Sequence, residues 1–264
     1  MRPPVSVLRE FGVEGTPLLL PGGQGSSWAV GGLVLKPGGG AVDDWLADVL
    51  TGLWAPGLRL AEPVRAANGS WSGDGWTATR WVDGAVPDHT QSSTWLEILE
   101  AGRAFHRAVA HLSRPGCLDA RDDPWAVADR VAWDEHTLLL HSSLAGLGLR
   151  LRRALAPLGP SQVVHGDLTG NVLLSPSLPP AVIDVSPYWR PTEYAEGVVI
   201  ADALCWHGAH ASLLDQTGVS VAAVARALLF RMTTTSIAHA RGFFEVDLED
   251  EAERYALATA AIGL

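Results

Sequence analysis

Apolar and polar positions change rhythm about a third of the way along the chain. In the first stretch, TPLLL (residues 16–20), WAVGGLVLKP (28–37), LRLAEPVRAANGSW (58–71) and GWTATRWV (75–82) are short, β-rich and separated by Gly, Pro and Asn-Gly, which predicts strands. One helix interrupts them: AVDDWLADVLTGLW (41–54) carries Val42, Trp45, Leu46, Val49, Leu50 and Leu53 at three- and four-residue steps, with Asp43 and Asp44 near its positive end. From Ser92 the period becomes helical. TWLEILEAGRAFHRAVAHL (94–112) puts Leu96, Leu99, Phe105, Val109 and Leu112 on roughly one face, and Ser92 or Ser93 can cap its start. Further helices are predicted at 125–140, 146–156, 195–214, 219–240 and 248–263. Among them lie three brief apolar runs, QVV before His165, VLL after Asn171 and AVI before Asp184, that read as buried strands presenting polar residues at their ends.

Composition narrows the function classes more than the fold. At 264 residues and 47% hydrophobic, the chain can bury a core as one domain or two lobes. A formal charge of −10 argues against nucleic acid as partner, because phosphate backbones are met by basic surfaces. The same charge suits a cationic substrate, although solubility is the plainer explanation. Cys117 and Cys205 are too few for a disulfide scaffold or metal cluster and predict a reduced, cytoplasmic protein. The start, MRPPVSVLREFGVEG, lacks an apolar secretory core, and no membrane association is expected.

The most informative segment is HGDLTGN (165–171), followed by AVIDVS (181–186). It sets His165, Asp167, Asn171 and Asp184 in the order phosphoryl transfer requires: a carboxylate to orient an attacking hydroxyl, then oxygen ligands for Mg²⁺. An ordinary tight turn and a strand-end carboxylate are the plainer alternative. Upstream, PGGQGSS (21–27) can bring backbone N–H groups of Gly22, Gly23 and Gly25, with the hydroxyls of Ser26 and Ser27, close to phosphate oxygens; glycine-rich hairpins are also simply turns. Lys36 follows as the only lysine in the chain, beside eighteen arginines. A compact ammonium between phosphates is not replaced by arginine's wide fork, so that retention points to function rather than to a solvated strand end.

These motifs resemble the catalytic and metal-binding segments of the aminoglycoside phosphotransferase group within the wider protein-kinase-like fold. The resemblance weakens away from them, and SPYWRP (186–191) looks like an actinobacterial branch rather than the glycine-containing triad of protein kinases. It implies an α+β bilobal fold, with a small antiparallel-sheet N-lobe (1–83) and a larger, mainly helical C-lobe (84–264). By resemblance, Asp167 is the catalytic carboxylate, Asn171 and Asp184 hold Mg²⁺, and Lys36 contacts the phosphates of ATP or GTP and pairs with an acid on the next helix, for which Asp48 is the candidate, a solvated surface role suiting it equally. Backbone groups at 79–87, Trp81 and Val82 among them, would hold the purine, although Trp81 suits a core as well. Asp202 matches a helix aspartate that braces the catalytic loop, and Trp189 and Arg190 are candidates for the acceptor pocket. About ten residues separate Asp184 from the next helix, too few for a phosphorylation switch. The expectation is therefore a kinase for a hydroxyl of a small molecule: an aminoglycoside, an aminosugar or a related metabolite. One departure supports a rival: the group places four residues between the aspartate and the asparagine, and here only Leu168, Thr169 and Gly170 intervene. A catalytically weak or inactive kinase-like protein that binds a nucleotide or a partner is the alternative.

Overall fold

The computed structural model describes residues 1–22, 25–137, 140–243 and 245–264; Gly23, assigned above to the phosphate loop, lies outside them. The first lobe is a twisted antiparallel sheet of β1 (Leu18–Leu19), β2 (Trp28–Val30), β3 (Leu33–Pro37), β7 (Trp76–Arg80) and β5 (Pro63–Val64) in that order, with β6 (Ser72–Gly73) also on β7. The run 28–37 is two strands rather than one. Gly31 and Gly32 both take positive φ, 56° and 79°, which makes the two-residue turn that right-twisted hairpins favour.

Alternation along β3 sorts its side chains. Leu33 and Leu35 are buried with Val7 and Leu8 of a short N-terminal helix, α1 (Val5–Glu10), which the sequence pattern did not predict, and with Phe11 just past its end. Val34 and Lys36 point to the other face, toward the second lobe. Helix α2 (Ala41–Leu50) packs Trp45, Leu46, Val49 and Leu50 with the second lobe's core and ends four residues earlier than its periodicity suggests.

The segment 58–71 is also divided. Its first part, β4 (Arg59–Leu60), pairs in parallel with β10 (Ala181–Val182), which in turn pairs with β9 (Val172–Leu173). That three-stranded sheet stitches the lobes together. The second lobe is built on α3 (Ser92–Val109), α4 (Pro124–Ala132), α5 (Ser142–Arg153), α6 (Thr192–Trp206), the short α7 (Ser212–Thr217), α8 (Val221–Arg241) and α9 (Leu248–Ala261). Helix α6 is apolar all round and runs through the interior against α8. A Cβ at Gly197 would lie 2.6 Å from the Ala223 carbonyl oxygen, so only glycine allows that approach. By length and composition α8 could cross a membrane, yet 83% of its most apolar window is buried inside the protein. It is the central helix of a core.

Candidate active site

The HGDLTGN segment begins as β8 (Gln162–His165), whose Val163 and Val164 are buried and which pairs with β11 (Pro187–Arg190). The chain then turns at Gly166, where a Cβ would meet the Tyr188 ring at 2.5 Å. His165 is fully buried at the end of the strand. Its Nδ1 accepts hydrogen bonds from the backbone N–H groups of Asp167 (3.2 Å) and Ser186 (3.3 Å), which leaves the proton on Nε2, 3.3 Å from the Ile183 carbonyl. One neutral imidazole thus ties the 166–170 loop to the segment between β10 and β11 that carries Asp184. Burial lowers the pKa of His165, against the pull of Asp167 and Asp184. Burial also pushes the neighbouring His106 down to about 3, with the proximity of His165 adding to it, and His106 Nε2 accepts the His165 backbone N–H at 3.1 Å.

The three-residue loop closes without loss of convergence. Leu168 is fully buried against Gly102 of α3, and Gly170 takes φ 79° so that the Asn171 N–H reaches the Leu168 carbonyl at 2.9 Å. Asn171 Nδ2 then donates to the Asp167 carbonyl at 2.7 Å and lies 3.4 Å from Asp167 Oδ2. The β9–β10 ladder extends one step further through Ile183 N–H to the Asn171 carbonyl, 2.9 Å, which brings Asp184 alongside Asn171. Asp184 itself has φ 48°, a left-handed backbone unusual for a residue other than glycine and of a kind that clusters at functional sites.

Between the lobes lies a cleft of about 560 Å³, within the range of small-ligand sites. Gly22, Ser27, Lys36, Trp81 and Val82 line it from above, and Asn171 and Asp184 from below. Gly25 and Ser26 belong to the same hairpin but do not line the cleft. Trp81 is 46% exposed rather than core, its backbone N–H bonded to the Gly32 carbonyl; the Val82 N–H and C=O make no backbone hydrogen bond among the described residues. Lys36 and Asp184 meet directly as an ion pair across the cleft.

Two expectations about neighbouring residues need correction. Asp48 is not the partner of Lys36: its carboxylate accepts from Trp71 Nε1 at 2.7 Å and lies 3.6 Å from Arg65, on the outward side of α2. The acid that α2 presents to the cleft is Asp43, which accepts the N–H of Gly39, just ahead of the helix, at 2.7 Å. Trp189 and Arg190 line a separate pocket of about 80 Å³, where Arg190 is paired with Asp129 (2.6 Å) and Glu135 (2.7 Å). Asp202 does stand beneath the loop, but through an intermediary missing from the sequence reading. Arg231 of α8 donates from Nε and Nη2 to Asp202 (2.8 and 2.6 Å) and from Nη2 to Asp167 Oδ1 at 2.9 Å. Burial works against this guanidinium's charge, but the Asp202 and Asp167 carboxylates outweigh it and hold its pKa well above the ordinary value. The signal was available: Arg231 and Asp202 are isolated charges inside apolar helices, and buried charges require partners.

Residues 42–185, more than half of the 264, match the phosphotransferase enzyme family. Comparison with curated proteins gives no match. Among solved structures, a thermostable mutant of aminoglycoside phosphotransferase APH(4)-Ia in ternary complex with AMP-PNP and hygromycin B is similar at 15% identity and a TM-score of 0.60, over 97% of this chain and 96% of that one. An aminoglycoside phosphotransferase from Alicyclobacillus acidocaldarius is similar at 17% identity and a TM-score of 0.55, over 98% and 93% of the two chains. A choline/ethanolamine kinase family protein from Mesorhizobium loti is similar at 18% and 0.58, over 96% and 90%. At such identities the structures establish the bilobal kinase-like fold alone, and it is the sequence match across the α2-to-Asp184 region that makes this chain a member of the phosphotransferase enzyme family.

Proposed function

We propose that the protein is a small-molecule kinase that transfers the γ-phosphoryl group of ATP or GTP to an acceptor hydroxyl. The acceptor class we favour is an aminoglycoside, an aminosugar or a related amino-bearing metabolite. The observation that carries this reading is the meeting of Asn171, Asp184 and Lys36 in one cleft with Asp167 tied to Asn171 at its edge. The acceptor oxygen forms its bond to the γ-phosphorus as the bond to the bridging oxygen breaks, and Asp167 orients the hydroxyl and takes its proton. Ser27 and the hairpin backbone cover the phosphates, Lys36 contacts them, and the free backbone groups of Val82 face the base. Lys36 must leave Asp184 to do so, which costs little because both side chains are more than a third exposed.

The donor set fits Mg²⁺. With Asn171 Nδ2 engaged at Asp167, its Oδ1 is left for a ligand, and Asp184 adds a carboxylate at the cleft wall; hard oxygens are what this ion takes. When bound, the ion neutralises phosphate charge. We place the lobe boundary at 83/84, where the chain leaves the first sheet and Ala85 bridges to Leu174. The acidic surface and the two free cysteines support a cytoplasmic location without nucleic-acid partners.

The inactive alternative draws on the short loop and on an ammonium already engaged by Asp184. Labelled Mg–ATP and Mg–GTP incubated with a metabolite extract, hygromycin B and ethanolamine separate the two. Phosphorylated product that disappears with Asp167→Ala, while nucleotide still raises the melting temperature, supports the kinase. A thermal shift without product supports the nucleotide-binding alternative, and the absence of both supports a partner-binding one; a ligand at a hundred times its Kd adds about 2.7 kcal/mol.

A further inference from the structure

We propose that Arg231 is a positioning residue for the reaction: it grips one oxygen of Asp167 from the C-lobe core and so aims the other at the acceptor, a task that rests on the catalytic role assigned to Asp167 above. A catalytic carboxylate can be misaimed in two ways, by movement of its backbone and by rotation about its own side-chain bonds. The loop deals with the first. Asp167 N–H is held by His165 and its carbonyl by Asn171, both within 3.2 Å. Nothing in the three-residue loop grips Oδ1.

Arg231 does, at 2.9 Å, and its own orientation is set by the two-pronged contact with Asp202, whose side chain is only 5% exposed. Paired fork contacts of this kind fix the plane of the guanidinium. With Oδ1 so engaged, Oδ2 is the oxygen left to face an incoming hydroxyl, its nearest partner the Asn171 amide at 3.4 Å. If Arg231 served only to neutralise Asp202, that pair would be complete without the third contact. Instead Nη2 is shared between the two carboxylates.

Hydrolysis of Mg–ATP, with water as acceptor, tests this without knowledge of the natural acceptor. Arg231→Met with Asp202→Asn removes the pair together and leaves no lone buried charge; Arg231→Lys keeps the charge but loses the fork. Each is measured in the wild-type and the Asp167→Ala background. The expected result is a kcat reduced about tenfold or more for the double variant and less for Arg231→Lys. The KM for Mg–ATP and the nucleotide-induced thermal shift stay unchanged, and there is no further loss once Asp167 is alanine, because a residue acting through Asp167 has no effect without it. An equal loss in both backgrounds, or a kcat within twofold of wild type, overturns the inference. If the double variant does not fold, the Arg231→Lys cycle decides by the same criteria. Wild-type protein that does not hydrolyse Mg–ATP, or Asp167→Ala that does so at the wild-type rate, overturns instead the role given to Asp167, and Arg231's with it.

Discussion

Asp167 and Lys36 flank the same cleft from opposite lobes and are held in opposite ways. Asp167 is restrained at its N–H by His165, at its carbonyl by Asn171 and at its carboxylate by Arg231, and the next residue, Leu168, is a fully buried plug. Among the described residues Lys36 has one side-chain partner, Asp184, and both of those side chains reach solvent. The difference follows from the role proposed above for each side. An acid that must meet a hydroxyl at the right angle gains from being fixed in advance, because misalignment is costly to the rate. A cation that must settle on a polyphosphate gains from a resting contact that opens cheaply.

Substitution of the loosely held side should separate rate from stability most widely. Lys36→Met and Asp184→Asn, the latter keeping a residue that tolerates the left-handed backbone, are expected to lower kcat/KM by about 10²–10³, the loss typical of one preorganised electrostatic contact. Unfolding free energy should change by no more than about 0.5 kcal/mol, since an exposed ion pair adds little. Turnover measured beside urea melts checks both, and a large loss of stability in either variant would mean that the pair is structural. The tightly held side should behave in reverse. Gly166→Ala drives a methyl group to within 2.5 and 2.7 Å of the Tyr188 ring, and that ring is buried. Overpacking of this kind costs about 1–3 kcal/mol. A urea midpoint equal to that of wild type would show that the turn has more slack than its geometry allows.

The loosely and tightly held regions were not equally legible in the sequence. HGDLTGN declares itself because a short buried strand, a glycine turn and three polar residues must be contiguous for the chemistry to work. Lys36 stands out as the only lysine of the chain. Its expected partner went astray for a geometric reason. Asp43 and Asp48 are five residues apart, about 140° around a helix of 3.6 residues per turn, and only the tertiary packing of α2 decides which of them meets the cleft. Arg231 was hidden differently. It lies 64 residues beyond Asp167, and contact between α8 and the loop arises only once α6 and α8 are packed. The division of 58–71 between two sheets was equally illegible, since β4 and β10 are more than a hundred residues apart and their parallel pairing leaves no local periodicity.

Acidification offers a smaller probe of the fixed side. His106 is buried and its pKa lies at about 3, against 6.5 ordinarily; the pKa of His165 is shifted in the same direction. Above pH 6.5 both folded and unfolded chains keep these imidazoles neutral, so their contribution is fully present there. As pH falls from 6.5 toward 3 the unfolded chain takes up protons that the folded one refuses, and stability drops by up to about 1.4 kcal/mol per pH unit for each histidine. Urea midpoints at pH 7 and 5.5 should therefore fall more steeply for wild type than for His106→Gln, whose amide can still accept the His165 N–H. Equal slopes would place the acid sensitivity elsewhere.

The smallest effect is expected where the sequence placed a cofactor contact and the structure does not. Asp48→Asn keeps an acceptor for Trp71 Nε1 and removes only the charge facing Arg65, 3.6 Å away and more than half exposed. An exposed pair at that separation contributes a few tenths of a kcal/mol. Turnover should remain within about twofold of wild type, since Asp48 lies on the outward side of α2 and touches neither Lys36 nor the cleft. Asp43→Asn, on the cleft-facing side of the same helix and made for comparison, should lower the rate more, because its carboxylate both holds the Gly39 N–H ahead of α2 and stands at the cavity wall. If Asp48→Asn instead proved the more damaging of the two, α2 would have to rotate when nucleotide binds, and the loosely held half of the cleft would include a helix as well as a side chain.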